Sequence, residues 1–261
     1  MMTSLLEVNG LGRTFGGLKA VSNLGFSIGS DEILGLIGPN GAGKTTVVNL
    51  LSGMIRPTAG RIMLAGEDVT GLAPHRLARK GLVRTFQSTT IYGSRTVREN
   101  ARRGAYFKRY PGFGPALFGT PQAKRMRADA DQFVERLLSW FGLDGIADSI
   151  AGSLPYGFQK TLGIVIALAA EPRLVLLDEP VAGLSAEEAD RVRDAILRVR
   201  ERGISVLAID HNMRFISSLC DRVIVVAHGE ELARGRPQEV LRSPAVIEAY
   251  LGKSHVAPDG H

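Results

Sequence analysis

The chain has 261 residues, of which 44% are hydrophobic and 22% charged, a composition that is typical of a folded globular protein and excludes a disordered one. Its 32 basic and 26 acidic side chains leave a formal net charge of +6, so nucleic acid, an anionic membrane surface and a phosphorylated ligand are the partners to consider. The single cysteine, Cys220, excludes a disulfide framework and a cysteine-rich zinc site.

No membrane-spanning segment is predicted. Residues 1–10 have neither a basic start nor a long apolar run, so we expect no export signal. The longest strongly apolar stretch covers residues 162–170, whereas a spanning helix needs about 20 residues. We therefore expect a protein of the reducing cytoplasm that does not cross a membrane but can lie against one.

Predicted strands and helices alternate along the chain. Strands are predicted at Leu5–Val8, Ile33–Ile37, Arg61–Leu64, Leu82–Phe86, Leu174–Leu177, Ser205–Ile209 and Val223–Val226. Helices are predicted to begin at Lys44 and to span Ala123–Phe141, Gln159–Ala170 and Ser185–Arg202. Ser185 and Glu188 have the spacing of a capping box, and Gly203 is a stop signal. Nearly continuous apolar strands between helices predict an α/β fold with a largely parallel sheet.

The positive charge is concentrated in one window. Residues 98–127 contain eight basic side chains and one acidic side chain, Glu99, so the window carries +7. It also contains five aromatic residues and three prolines, which predicts an insertion made of a short helix, an irregular stretch and a return to helix. Two interpretations stay open at this point, a solvated basic loop and a contact surface.

A phosphate-binding loop is predicted at Gly38–Thr45, which matches G-x-x-x-x-G-K-[ST] at every fixed position. The loop follows a buried strand and opens a helix, which is the context that the motif requires. Its glycines let main-chain N–H groups close around phosphate oxygens, and the helix N-terminus adds its positive end. Lys44 is expected to reach the β- and γ-phosphates, and the Thr45 hydroxyl to ligate Mg²⁺.

A pair of carboxylates ends a second buried strand. Four apolar residues lead directly into Asp178 and Glu179. A carboxylate in that place is costly unless it serves a cation, so we predict that Asp178 takes part in Mg²⁺ coordination. Glu179 beside it is predicted to polarise an attacking water as a general base.

With these motifs the chain resembles the nucleotide-binding subunits of ABC transporters over nearly its full length. The motifs occur in the order of that family: Gly38–Thr46 as Walker A, Gln87 as the Q-loop, Leu154–Gln159 as the signature motif, Leu174–Glu179 as Walker B, Ala182–Ser185 as the D-loop and His211 as the switch histidine. Six motifs in order are far more specific than a phosphate loop alone. The resemblance implies a P-loop core with a mostly parallel sheet, an antiparallel β subdomain and an inserted α-helical subdomain.

A narrower resemblance is to the larger ATPase subunit of branched-chain amino acid importers. It depends on Phe15–Val21, the long insertion after Gln87, the Tyr-Gly pair in the signature and the ending Ala245–Gly252. It implies ATP hydrolysis that powers import of branched-chain amino acids or a related small solute, with permease subunits, a second ATPase subunit and, indirectly, a periplasmic binding protein as partners. The chain would then lie at the cytoplasmic face of the inner membrane.

The resemblance also assigns roles to individual residues. The residues implied to bind nucleotide are Phe15 (stacked on adenine), Val21, Gly38, Pro39, Asn40, Gly41, Ala42, Gly43, Lys44, Thr45 and Thr46. Catalysis is assigned to Glu179, His211, Gln87 and Lys44, and the Mg²⁺ ligands are Thr45, Gln87 and Asp178. The signature residues, which would face a partner's nucleotide, are Leu154, Pro155, Tyr156, Gly157, Phe158 and Gln159.

The signature departs from the family pattern. Pro155 stands where a serine is usual, which removes a hydroxyl and an N–H, and Phe158 stands where a polar residue is usual. Two interpretations remain: an ATPase heterodimer with unequal sites, or a tolerated change, because main-chain N–H groups from Gly157 onward suffice.

The resemblance gives one ATP-binding domain over 1–261, with a helical subdomain at about 88–158 and a C-terminal extension at about 230–261. The absence of an internal repeat excludes two tandem cassettes. Alternatives are an exporter ATPase for lipid or glycolipid and a nucleic-acid-handling ATPase of the same fold. Nucleic acid is the least expected partner, because the basic window lies in the helical subdomain that meets the membrane subunit in this family. We therefore expect this charge near the permease and anionic headgroups.

Overall fold

The computed structural model describes residues 4–85, 91–110 and 120–251. Its strands are β1 Ser4–Phe15, β2 Leu18–Gly29, β3 Ile33–Ile37, β4 Ala59–Leu64, β5 Glu67–Asp68, β6 Leu82–Thr85, β7 Leu174–Asp178, β8 Ser205–Ile209, β9 Arg222–Ala227 and β10 Glu230–Gly235. Its helices are α1 Lys44–Leu51, α2 Pro74–Lys80, α3 Val97–Arg109, α4 Pro121–Trp140, α5 Tyr156–Ala169, α6 Ala186–Glu201, α7 Met213–Leu219, α8 Pro237–Val240 and α9 Pro244–Leu251. Two short 3₁₀ turns, Asp144–Ile146 and Ala151–Ser153, lie between α4 and α5.

The strands form two sheets. The larger has the order β10-β9-β3-β8-β7-β6, and all of its described pairings are parallel except that of β10 with β9. The smaller is antiparallel, with the order β2-β1-β4-β5. The predicted α/β fold with a largely parallel sheet and an antiparallel β subdomain is therefore confirmed.

Alternate side chains of the parallel strands pack into two different hydrophobic clusters. In β3, Ile33 and Ile37 belong to a cluster shared with α3 to α7, while Leu34 and Leu36 belong to a second cluster shared with α1 and the antiparallel sheet. Since side chains of a strand point alternately to opposite faces, a strand covered on both faces must be apolar throughout. This is why the sequences of β3, β7 and β8 read as uninterrupted apolar runs.

The predicted helices occur with small shifts at their ends. The stretch predicted at Ala123–Phe141 is α4, and the capping box on α6 is present, with Ser185 and Glu188 each bonding the other's backbone N–H. A second capping box, formed by Thr96 and Glu99, begins α3. The first strand extends well beyond the predicted Leu5–Val8, because the antiparallel partners β2 and β4 sustain it.

The inserted unit begins with α3 and returns to helix at α4, while most of the intervening aromatic and proline-rich stretch lies outside the described residues. Gly104 lets α3 approach α5 closely, because a Cβ there would lie 2.1 Å from the Ile166 carbonyl oxygen. In the part of the chain that the structure describes, no helix is both long and apolar enough to span a bilayer.

Candidate functional site: a phosphate loop beside a carboxylate-ended strand

The predicted phosphate loop connects β3 to α1, as the motif requires. Gly38 and Gly43 have positive φ angles of 152° and 99°. A Cβ on Gly38 would lie 2.0 Å from the Val226 carbonyl oxygen, and one on Gly43 would lie 2.4 Å from that of Ala20. Both positions therefore require glycine, since no side chain fits between the loop and the neighbouring backbone.

Lys44 is folded over this loop. Its Nζ donates to the carbonyl oxygens of Gly38 and Pro39, at 2.6 and 2.8 Å. Partial burial lowers the pKa of Lys44, and the negative charge of Glu179 opposes that shift. The ammonium group is thus held at the mouth of the loop, close to the carboxylate-ended strand.

One cavity of about 430 Å³ joins the two predicted motifs. The residues that line it are Leu18, Lys19, Ala20, Asn40, Gly41, Ala42, Gly43, Lys44, Thr45, Thr46, Glu179, His228 and Gly229. The N-terminus of α1 opens into it, so the N–H groups of the first helical turn and a lysine face an acidic side chain across one space. Such a cavity suits a ligand that carries several negative charges and a water to be activated.

Glu179 has a strained backbone, with φ at 48°. Its N–H donates to the Ile209 carbonyl oxygen at 2.8 Å, and its carbonyl oxygen accepts from Lys160 Nζ at 3.3 Å. His211 Nδ1 lies 4.0 Å from Glu179 Oε1, and the imidazole is largely exposed. The structure thus brings the predicted base and the predicted switch histidine together at the ends of β7 and β8.

Asp178 is held by a network that the sequence did not reveal. Arg84 lies at the end of β6 and donates to Asp178 Oδ2 at 2.7 Å, to Asn49 Oδ1 at 2.7 Å and to Ser52 Oγ at 3.2 Å. These partners come from β7 and from α1 and its C-cap. The network therefore ties the phosphate-loop helix to the carboxylate-ended strand.

Asp210 is a second residue that sequence reasoning missed. It is buried, and its carboxylate accepts from the N–H groups of Val181 at 3.3 Å and Asn212 at 2.9 Å. It thereby fixes both the turn after Glu179 and the turn that carries His211. The available signal was its place directly after the apolar strand β8, the same pattern that singled out Asp178.

Two residues predicted to contact a nucleotide base occupy different environments. Phe15 is exposed at the end of β1, and the Arg13 guanidinium lies 4.5 Å from its ring centre. Val21 is only 1% exposed and belongs to the core cluster beneath the antiparallel sheet. The structure therefore does not bring the Val21 side chain to the cavity, where the preceding Leu18, Lys19 and Ala20 lie instead.

The predicted signature residues begin α5. Leu154 and Pro155 precede the helix, Tyr156 is exposed at its first position, and Gln159 Nε2 donates back to the Leu154 carbonyl oxygen at 2.8 Å. Phe158 is partly buried against the hydrophobic cluster shared with α3 to α7. Gln87 lies outside the described residues.

The segment that leads into α3 is paired with the segment that precedes α5. Ala151 donates its N–H to the Arg95 carbonyl oxygen at 2.8 Å, and Gly152 to that of Gly93 at 3.0 Å. Buried Asn100 bonds both the N–H and the carbonyl oxygen of Tyr92, at 2.8 and 3.0 Å. The start of α5 is therefore attached to the chain that follows residues 86–90.

This fold and this cavity are those of a P-loop protein that binds nucleoside triphosphates. The sequence pattern of the family described as "ABC transporter" matches residues 21–182, well over half of the chain, and that described as "Branched-chain amino acid ATP-binding cassette transporter" matches residues 230–256. The chain belongs to the ABC transporter family, as an ATPase subunit whose hydrolysis of ATP is coupled to transport. Such a subunit works with transmembrane permease subunits.

Individual relatives agree with this assignment. The chain is 39% identical to the high-affinity branched-chain amino acid transport ATP-binding protein BraF of Pseudomonas aeruginosa, over 97% of this chain and all of the relative. It is 38% identical to LivG of Escherichia coli K12, with the same coverage. LptB of Haemophilus influenzae, a lipopolysaccharide export ATP-binding protein, is 34% identical over 96% of this chain and 98% of the relative. The predicted resemblance is confirmed at both levels.

Solved structures give the same fold. A nucleotide-free ATP-binding cassette from an ABC transporter superimposes with a TM-score of 0.83 and 28% identity, over 96% of this chain and all of the other. A cassette in its ADP conformation superimposes with a TM-score of 0.83 and 27% identity, with the same coverage.

Proposed function

We propose that this chain is the larger of two ATPase subunits of an importer for branched-chain amino acids or a closely related small solute. BraF and LivG, the relatives that support the solute class, match the chain over almost its whole length. The match at residues 230–256 falls in the proposed C-terminal extension of about 230–261. In this proposal the chain works at the cytoplasmic face of the inner membrane, attached to the permease.

The proposed ATP hydrolysis is supported by one observation: Lys44, Thr45 and Glu179 line the same cavity. The triphosphate would lie on the backbone of residues 38–46, with Lys44 turning from its present carbonyl partners toward the phosphates. Glu179 would accept the proton of a water aligned with the γ-phosphorus, while Lys44 offsets the charge that develops on the phosphoryl oxygens. His211 and Gln87 would orient the γ-phosphate and the water.

The residues at this site suit Mg²⁺. Thr45 contributes a hydroxyl and Asp178 a carboxylate, the hard oxygen donors that Mg²⁺ prefers, and Arg84 orients that carboxylate through its Oδ2. When bound, the ion would neutralise phosphate charge and orient the β- and γ-phosphates. Few protein carboxylates are needed, since the triphosphate supplies further oxygens.

The two nucleotide sites of the ATPase pair are proposed to differ in turnover rate. The half of the site built from Lys44, Asp178, Glu179 and His211 is intact, whereas the signature has Pro155 in place of a serine. A partner ATPase would therefore supply a complete signature to this chain's nucleotide, and the partner's own nucleotide would turn over more slowly. Equal losses of turnover from Glu179→Gln and from the corresponding change in the partner would contradict this arrangement.

The solute assignment is tested with the transporter rebuilt in liposomes. ATP hydrolysis is measured with the binding protein added empty or loaded with leucine, isoleucine or valine. The proposal predicts stimulation by at least one of the three and none by lipopolysaccharide. Stimulation by lipopolysaccharide alone would favour an export function like that of LptB and overturn the importer proposal.

A further inference from the structure

Helix α5, which carries the signature motif, begins without a side-chain cap of its own. Its N-cap residue is Pro155, and no side chain at that position bonds the first turn. A serine at an N-cap accepts a hydrogen bond from the N–H of the second or third helical residue. Here those residues are Gly157 and Phe158. The N–H of Phe158 donates to the Pro155 carbonyl oxygen at 3.0 Å, so it is the N–H of Gly157 that needs another acceptor.

Glu188 in the first turn of α6 supplies that acceptor. Its Oε1 accepts from the N–H of Gly157 at 3.1 Å. Its Oε2 accepts from the N–H of Ser185 at 3.0 Å, which closes the capping box of α6. One carboxylate therefore caps two helices, its own and the signature helix.

The packing around Gly157 is fitted to this contact. A Cβ on Gly157 would lie 3.1 Å from Cβ and Cγ of Glu188 and 3.2 Å from its Oε1. Gly157 is buried, whereas the neighbouring Tyr156 is exposed. The absence of a side chain at position 157 thus lets Glu188 approach the helix, and the N–H of Gly157 is occupied by an anionic group.

Hydrogen bonds from the backbone of Ser185 and then of Gly157 lower the pKa of Glu188, so the carboxylate is charged at neutral pH. A negative charge at a helix N-terminus is favourable. The same place is where the signature of this chain would meet the γ-phosphate held by the partner ATPase.

We propose that Glu188 is a positioning residue for the signature motif: it replaces the missing serine cap and sets a negative charge at the start of α5 that the partner's phosphate must meet. The second part rests on the proposed function, because it requires the signature to face a partner's ATP. The first part concerns this chain alone.

The capping part is tested by thermal unfolding of the full chain. Glu188→Ala removes the carboxylate's bonds to the N–H groups of both Gly157 and Ser185. It should lower the midpoint by about 2–4 °C more than Glu99→Ala, which removes the matching capping-box bond on α3 and an exposed ion pair with Arg95. Pro155→Ser should recover about half of the Glu188→Ala loss, because the introduced hydroxyl can accept from the N–H of Gly157, and none of the Glu99→Ala loss. Equal midpoints for Glu188→Ala with and without Pro155→Ser would overturn the capping role.

The charge part is tested in the rebuilt transporter with Glu188→Gln, which keeps an acceptor for Gly157 and removes the charge. Its KM for ATP should fall about threefold or more, with a smaller change in kcat, while exposed Glu187→Gln behaves as the wild type. Equal KM values for the two variants would overturn the charge role. If the wild-type complex shows no solute-stimulated turnover, the proposed function fails instead, and the unfolding comparison still decides whether Glu188 caps α5.

Discussion

Arg84 and Asp178 form an ion pair that is nearly closed to solvent, with side chains 9% and 11% exposed. A buried pair of this kind is not a strong source of stability, because both charges lose hydration. Removing only one partner is much worse, since the other charge is left buried. Arg84 therefore compensates the buried charge of Asp178 and orients its carboxylate at the end of β7.

Replacing Arg84 with methionine should destabilise the chain by about 3–5 kcal/mol, measured as the free energy of unfolding in urea. Adding Asp178→Asn to the same chain should recover part of that loss, because no uncompensated carboxylate remains. The matched control is Arg61→Met, whose partner Asp68 is half exposed and which should leave the midpoint unchanged. Equal losses for the two arginines would contradict this role.

The phosphate loop that joins β3 to α1 needs glycine for two different reasons, backbone conformation and close packing. Gly41 and Gly43 both have positive φ, 78° and 99°. A Cβ on Gly41 would meet no atom within 4 Å, whereas one on Gly43 would overlap the Ala20 carbonyl oxygen. The positive φ angle therefore favours glycine at both positions, whereas close packing excludes a side chain only at Gly43.

Gly41→Ala should cost about 1–2 kcal/mol of unfolding free energy, the usual penalty of a left-handed alanine. Gly43→Ala should cost clearly more, because its Cβ forces the loop away from β2. Differential scanning calorimetry of both variants measures the difference. Similar losses would show that the loop relaxes without cost, and the packing argument would be wrong.

The inserted helical element is less positively charged than its sequence window implies. Arg98 pairs with Asp148 and Glu135, Arg102 with Asp131, and Arg109 with Glu171. These acids lie outside residues 98–127, so the net charge of the window overstated the free positive surface. Exposed Arg103 instead lies over the ring of Tyr92, 3.3 Å from its centre, beside the segment that leads into α3.

This difference separates two arginines on one helix. Arg98→Gln should lower the unfolding temperature, since it breaks contacts between α3, α4 and the turn at Asp148, while binding to the permease is retained once the chain is folded. Arg103→Gln should lower the unfolding temperature less than Arg98→Gln, since it loses only an exposed contact with the Tyr92 ring. It should weaken association with the permease, measured by co-purification at increasing salt. Undiminished association in Arg103→Gln would remove this residue from the proposed contact surface.

Across the molecule, the features that could be predicted from the sequence are those that depend on residues close together in the chain. Strands buried on both faces, a glycine-rich loop and carboxylates that end apolar strands each leave a local signature in the residues. The pairings of Arg84 with Asp178 and of Glu188 with Gly157 leave none, because each joins residues far apart in the chain. The burial of Val21, which the resemblance implies to bind nucleotide, also leaves no local signature, since it depends on the pairing of β2 with β1.

Glu179 is proposed to be the base that activates water for ATP hydrolysis, and replacing it tests that role. ATP binding and steady-state phosphate release are measured for the rebuilt transporter with Glu179→Gln, and with exposed Glu187→Gln as the control. Glu179→Gln should bind ATP within about twofold of the wild type, while its turnover should fall about 100-fold or more. Turnover close to that of the control, with ATP still bound, would contradict it.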